Sequence, residues 1–216
     1  MPGKNIQLAD TFADDYDEQV AKNKWTGPGV LFNLTKEFIQ EGQELLDLGI
    51  GTGASALPFF NAGLKITGVD ASREMLRVCR SKNITESMFQ VNLETTKLPF
   101  ENQRFDVVIS NALFHLIYPL EPLFSEVKRV LNPGGIFAFT FEDADDVMDY
   151  SLKESGVWET ITETNVFTYK HELKYIKGLL KKNGFSLTKK QRFLAFVSKE
   201  TEKEYYFTGI VSRESE

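Results

Sequence analysis

Apolar positions fall into short runs and helical stripes that alternate from residue 44 to residue 141. Leu45, Leu46 and Leu48, interrupted only by Asp47, predict a buried strand, and it runs into glycines at alternate positions, Gly49, Gly51 and Gly53. The pattern turns helical over 54–61, and alternating, β-branched residues return over 64–69 ahead of Asp70. Residues 44–70 therefore read as one βαβ unit with a tight elbow after its first strand. Ser72 then caps a helix whose buried side is Met75, Leu76, Val78 and Cys79. Strands follow over 87–91 and 105–109, separated by a polar loop. An amphipathic helix over 119–131 buries Leu123, Phe124 and Val127, and Asn132-Pro133-Gly134-Gly135 stops it before a strand over 136–141. Strands and helices alternating at this spacing predict an α/β, doubly wound, Rossmann-like sheet, mostly parallel, with helices on both faces.

The ends of the chain follow other patterns. Phe12, Tyr16 and Val20 form a narrow stripe that predicts a helix over 11–24, either a lid over a ligand site or an ordinary surface helix. Gly27-Pro28-Gly29 reads as a breaker, and a second helix after it buries Val30, Leu31, Leu34 and Phe38. Residues 142–167 read as irregular and acidic, followed by a helix over 170–182. Strands over 185–197 and 204–212 are joined by a short charged turn, SKETEK. So short a connection makes them an antiparallel hairpin, because parallel neighbours need a long crossover.

Composition sets the outer limits. With 216 residues and 42% hydrophobic content, the whole chain is expected to form a single domain. Its expected parts are N-terminal helices or lid over 1–43, a ligand-binding core over 44–141, a substrate-covering segment over 142–182 and the hairpin over 183–216. A formal net charge of -6 supplies no overall positive field for nucleic acid or an anionic membrane. Eight basic residues against Glu172 between Lys170 and Arg192 are a local exception, read as a solvated face rather than a nucleic-acid site. One cysteine, Cys79, and two histidines, His115 and His171, provide neither an internal disulfide nor a zinc set, and no metal is expected. MPGKNIQLADTF lacks the apolar core of a signal peptide, and no apolar run approaches the ~20 residues that span a bilayer. A reducing, cytoplasmic setting without membrane attachment is the resulting expectation.

Chemistry concentrates at the glycine elbow. Glycines there let backbone approach a ligand closely, while the first N–H groups of the following helix point at it unpaired. Gly49, Gly51 and Ala54 satisfy a G-x-G-x-x-G/A dinucleotide fingerprint, and Asp70 lies where that fingerprint wants its acidic residue. Two features favour a mononucleoside with a charged amino-acid tail instead. Asp47 would face a pyrophosphate unfavourably yet suits an ammonium group, and a terminal hairpin differs from the second half of a dinucleotide fold.

Four segments in order carry a family resemblance: Asp47-Leu48-Gly49-Ile50-Gly51-Thr52-Gly53, Gly68-Val69-Asp70-Ala71-Ser72-Arg73-Glu74-Met75-Leu76, Leu98-Pro99-Phe100-Glu101-Asn102-Gln103-Arg104-Phe105-Asp106-Val107-Val108, and Leu131-Asn132-Pro133-Gly134-Gly135. Together they resemble the motifs of class I S-adenosylmethionine-dependent methyltransferases, in the type 11 small-molecule group that includes ubiquinone and menaquinone biosynthesis enzymes. The likeness covers residues 10–141. It implies a seven-stranded sheet with its last strand antiparallel, S-adenosylmethionine as cofactor, S-adenosylhomocysteine as product and a small-molecule methyl acceptor as partner. It also implies site roles: Asp47, Gly49, Gly51 and Gly53 around the methionine part, Asp70 on the ribose hydroxyls, and Ala71 and Met75 on adenine. Asn92 and Leu93 stand where the family usually offers an acid to the adenine amino group. Asn111 and Ala112 border the sulfonium, and Tyr16 resembles a lid tyrosine.

Each residue also has a plainer reading. Asp70 alone could be a turn residue and Met75 core. His115 is the candidate general base, or a histidine satisfied at a helix start. Tyr150, Trp158 and Phe167 line a substrate cavity or merely anchor the irregular segment, and the acids between Glu142 and Asp149 steer a cationic acceptor or are solvated. At the level of function, a nicotinamide-dependent oxidoreductase and a catalytically silent S-adenosylmethionine-binding protein stand beside the methyltransferase reading.

Overall fold

The computed structural model describes residues 3–95, 97–198 and 202–214. Its centre is a seven-stranded sheet in the order β3-β2-β1-β4-β5-β10-β9. The strands are β1 (Glu44–Leu48), β2 (Lys65–Asp70), β3 (Ser87–Gln90), β4 (Phe105–Ser110), β5 (Leu131–Glu142), β9 (Phe185–Val197) and β10 (Glu204–Glu214). The pairs β1–β2, β2–β3, β1–β4 and β4–β5 are parallel, whereas β10 runs antiparallel to both β5 and β9. The doubly wound sheet and its terminal hairpin are as the sequence predicts. The middle of the SKETEK turn lies outside the described residues.

Side-chain alternation along the strands builds two apolar layers. Leu46, Leu48, Val108, Phe137 and Phe139 face one side, where α6 (Glu121–Val130) and α7 (Leu173–Lys182) cover them with Leu123, Phe124, Val127, Ile176 and Leu179. Leu45, Val107, Ile109 and Ala138 face the other, beneath α3 (Gly27–Thr35), α4 (Leu57–Asn61) and α5 (Arg73–Ser81). Phe114, Phe124, Phe137 and Phe139 interlock, with Phe114 and Phe139 centroids 5.0 Å apart. This aromatic block anchors the β4–α6 connection that borders the site.

Several local expectations need correction. The predicted helix over 11–24 is two helices, α1 (Lys4–Phe12) and α2 (Tyr16–Lys22), and Asp14 at the break pairs with Arg77 on α5. Gly27-Pro28-Gly29 opens α3 instead of breaking the chain, since Pro28 sits in the first turn, where no N–H is required. The helix of the βαβ unit is only α4, starting three residues later than expected at Leu57 with Pro58 in its first turn. Residues 144–150 are irregular, as expected, but the rest of the span to 167 is not. It contributes β6 (Ser151–Glu154) and β7 (Val157–Ile161), which with β8 (Phe167–His171) make a separate three-stranded antiparallel sheet in the order β6-β7-β8. Gly156 at φ 85° and Asn165 at φ 63° supply the left-handed residues its two turns require. The helix expected from Lys170 begins at Leu173, because Lys170 and His171 finish β8.

Candidate functional site

The elbow after β1 is built on backbone that only glycine adopts easily. Gly49, Gly51 and Gly53 have φ values of 73°, 54° and 89°. The N–H groups of Gly49 and Ile50 both donate to the carbonyl of Val69, pinning the elbow to the end of β2. A Cβ on Gly53 would meet Ile84 Cδ1 at 2.7 Å and Cys79 Sγ at 3.0 Å, whereas a Cβ on Gly51 would come no closer than 4.0 Å to another atom, the Gly49 carbonyl oxygen. Gly53 is thus a packing requirement, and Gly51 keeps a hollow clear.

Asp70, the last residue of β2, closes that hollow. Its Oδ2 accepts the Gly51 N–H at 2.8 Å and its Oδ1 the Ser72 N–H at 2.8 Å. Burial pushes its carboxyl up, against the pull of the Ser72, Gly51 and Ala71 N–H groups. Each oxygen keeps acceptor capacity toward the hollow. Asp47 lies beneath the elbow, 1% exposed, with Oδ2 sealed from solvent and lacking a hydrogen-bond partner. Burial, reinforced by Asp70, pushes its carboxyl up to about 8. A buried carboxylate without a partner is costly, so this acid is poised for a cation.

The end of β4 supplies the opposite wall. Asn111 donates from Nδ2 to Ser55 Oγ at 2.9 Å and accepts from Thr140 Oγ1 at 2.7 Å, while Thr140 Oγ1 accepts the Ala112 N–H at 3.0 Å. Ala112 is held at φ 53°, a strained conformation for alanine that aims the backbone at the cavity. On the adenine side expected from the sequence, Asn92 Oδ1 accepts the Glu94 N–H at 3.0 Å, which fixes the amide.

Helices α1 and α2 roof the site. Asp10 accepts from Ser72 Oγ at 2.5 Å and from the Glu74 N–H, Asp14 pairs with Arg77, and Asp17 accepts from Thr52 Oγ1 at 2.6 Å and pairs with Lys82. These carboxylates latch the roof to α5 and to the glycine elbow. Tyr16 faces inward, and burial, then Asp70 and Asp17, push its hydroxyl up.

The cavity beneath this roof is partly open and has a volume of about 180 Å³. Of the residues predicted from sequence, Tyr16, Gly49, Gly51, Asp70, Ala71, Met75, Asn92, Leu93, Asn111 and Ala112 line it. Asp47 and Gly53 do not; they support the elbow from below. A smaller adjoining hollow shares Tyr16, Gly49, Gly51, Asn111 and Ala112 and adds Trp25, Thr52 and Ser55. Sequence reasoning missed Asn5, Ile6 and Ala9 on α1, the capping Ser72, and Leu113, Leu116 and Ile117 after β4. The i, i+3 spacing of Ile6 and Ala9 was the available signal for the first of these.

His115 is not among the cavity-lining residues. It sits in the short 3-10 turn Phe114–Leu116 with its ring 6.1 Å from Phe207 and its Nδ1 sealed without a partner. Burial, with His171 nearby, pushes it down to about 4. Trp158 lies on the face of the small sheet shared with Leu152 and Lys170, away from the cavity, and Lys170 stands over the Tyr150 ring. The acids after β5 are largely paired: Glu142 with Lys170, Asp143 and Asp145 with Arg192, and Asp146 with Lys203. Among the described residues no cluster of His, Cys, Asp or Glu is arranged to hold a metal ion, and no helix is long and apolar enough to cross a membrane.

A family model described as a methyltransferase domain matches residues 46–139. An uncharacterized protein of Methanocaldococcus jannaschii is 33% identical over 191 residues, covering 87% of this chain and 69% of that protein. Demethylmenaquinone methyltransferase of Tropheryma whipplei is 31% identical over 97 residues, which are 45% of this chain and 41% of that enzyme, so the match spans under half its length. Among solved structures, Burkholderia thailandensis 1,6-didemethyltoxoflavin-N1-methyltransferase, with bound 1,6-didemethyltoxoflavin and S-adenosylhomocysteine, superposes with a TM-score of 0.70. That likeness, at 14% identity, covers 100% of this chain and 92% of that one, and it is a likeness of fold.

Proposed function

Because the chain belongs to the class I S-adenosylmethionine-dependent methyltransferase family, we propose that it carries the cofactor in the cavity between the glycine elbow and α1 and methylates a small-molecule acceptor there. The observation that carries this reading is the pair of carboxylates around the elbow. Asp70 offers free lone pairs at a strand end, where a ribose diol needs a bidentate acceptor, and Asp47 is a buried acid without a partner, suited to an ammonium group. The residues present therefore fit S-adenosylmethionine. Gly49 and Gly51 would hold its methionine part, with Asp47 and Gly53 beneath them supporting the elbow, Asp70 its ribose, and Ala71, Met75, Asn92 and Leu93 its adenine. Asn111 and Ala112 would border the sulfonium, with Tyr16 above.

When bound, the cofactor supplies an activated methyl group, displaced in line by the acceptor to leave S-adenosylhomocysteine. The protein's part is alignment and exclusion of water. Strained Ala112, fixed through Thr140, presents rigid backbone where the acceptor approaches, while Leu113, Leu116 and Ile117 keep that side apolar. The latched α1–α2 roof covers the top. With its ring against Phe207, away from the cavity lining, His115 is not assigned a general-base role. Beyond β5 the sheet continues with the antiparallel hairpin, where a dinucleotide fold would add its sixth parallel strand. A cytoplasmic setting belongs to the same proposal. Incubation with methyl-labelled S-adenosylmethionine and a panel of small aromatic and amphipathic acceptors tests it: label transfer is expected, and cofactor binding with no transfer to any acceptor would favour a silent binding protein.

A further inference from the structure

Beside the cavity lies a second hollow of about 340 Å³; Asn5, Glu94 and Leu116 line both, and Lys4 and Asn165 stand at the rim of the second. Its far wall is Val166, Phe167 and Tyr169, from the β7–β8 turn and β8. The register of these strands sets Ile161 directly opposite Phe167, on the same face as the Glu159–Tyr169 and Val157–His171 pairs. The inner end of that face is sealed, with Val157 and His171 at 0% exposure. Its outer end is open, with Ile161 at 53% and Phe167 at 50%. Tyr169 stacks on Tyr118 at 5.3 Å and 26°, which braces the wall. Phe167 therefore lines the hollow, Ile161 lies across from it on the same exposed face, and Leu116 is the apolar residue that the hollow and the reaction cavity share.

We propose that this hollow receives the apolar tail of the methyl acceptor. The acceptor is then an amphipathic small molecule: its reacting head enters the cavity beside Ala112, and its hydrocarbon or aromatic tail runs out past Leu116 beneath Phe167 and Ile161. A concave space of a few hundred Å³ has the dimensions of a ligand pocket rather than of a macromolecular docking patch. Covering half-exposed Phe167 and Ile161 with a tail removes apolar surface from water on both partners, which is the driving force the site offers. Phe167 and Ile161 are thus specificity-determining residues that act through tail length and not on the transferring methyl group.

The proposal rests on the methyltransferase reading, and the experiment separates the two. The protein is first saturated with S-adenosylhomocysteine, then titrated calorimetrically with 4-n-alkylphenols from ethyl to octyl. Affinity is expected to rise about fourfold per added methylene until the tail passes Phe167. In Phe167→Asp and Ile161→Asp, both at half-exposed positions that tolerate a charge, the rise should flatten while S-adenosylhomocysteine affinity stays unchanged. Leu152→Asp, 59% exposed on the opposite face of the small sheet, should leave the series as in the wild type. Affinity independent of chain length, no binding by any member, or an unaltered series in Phe167→Asp would overturn the proposal with the methyltransferase reading intact. Failure of the wild-type protein to bind S-adenosylhomocysteine at all would remove that reading, and the proposal with it.

Discussion

Replacing Asp70 with alanine perturbs the cofactor site at its most exposed dependency. In the ligand-free protein its two carboxylate oxygens each hold one backbone N–H at 2.8 Å, from Gly51 and from Ser72. A carboxylate offers about four acceptor positions, so two remain for a ribose diol. A hydrogen bond to a charged group contributes about 1.5 to 3 kcal/mol net. Water entering the truncated site recovers part of two such bonds, leaving a net loss of about 1.5 to 3 kcal/mol, or roughly 10- to 150-fold in Kd for S-adenosylhomocysteine. The freed N–H groups also cost stability, Ser72 more than Gly51 because Ser72 is 1% exposed. Calorimetric titration, with thermal unfolding of the apo variant alongside, separates the two effects. Glu101→Ala is the control, since Glu101 is exposed in the loop before β4 and lines no part of the cavity. A folded Asp70→Ala protein that binds S-adenosylhomocysteine as the wild type does would refute the assignment of Asp70 to the ribose.

Three further outcomes follow from the same geometry. The Asp47 carboxyl sits at about 8 in the folded chain, far above its unfolded value, so the native state keeps a proton that the unfolded state has released; this group's stabilisation is lost as pH rises from about 4 to 8, at up to about 1.4 kcal/mol per pH unit. Urea unfolding of Asp47→Asn at pH 5 and 7 should show that slope removed, with weaker binding of the ammonium-bearing product; parallel wild-type and variant curves would contradict the burial argument. Gly53→Ala should lower Tm, because its Cβ meets Ile84 and Cys79 at positive φ. Gly51→Ala pays only the left-handed backbone cost of about 1 kcal/mol while obstructing the cavity, so equal effects of the two on binding and on Tm would sink the distinction. His115 and His171 are both pushed down to about 4, chiefly by burial, so their stabilisation is lost as pH falls from 6.5 toward 4; His115→Gln should flatten the acid side of a Tm-against-pH profile, and an unchanged profile would show that its burial carries no such cost.

What the sequence made legible is what local pattern controls. Leu45, Leu46 and Leu48 running into alternate glycines, and β-branched residues ending at Asp70, encode a βαβ unit within one short window, and its strand-end residues reach the cavity because the parallel register aligns β1, β2 and β4. The small sheet was hidden by its acidic approach, although Gly156 and Asn165 between aromatic and β-branched runs carried a hairpin signal. Helix α1 was hidden for a different reason. Its sequence, KNIQLADTF, has no strong apolar stripe, and Asp10 reaching Ser72 is a tertiary contact that no local window contains. Leu116 and Ile117 reach the cavity only because Phe114 inserts into the Phe124–Phe137–Phe139 block, and the same packing turns His115 toward Phe207.

Titration of the purified protein with S-adenosylhomocysteine and, separately, with a nicotinamide dinucleotide is the most direct measurement. Micromolar binding of the first and none of the second is expected from an elbow that sets a buried, unpartnered acid beneath its glycines and a carboxylate with spare acceptor capacity at the end of β2. Binding of the dinucleotide alone would contradict the methyl-transfer reading and reassign Asp70 to a dinucleotide ribose.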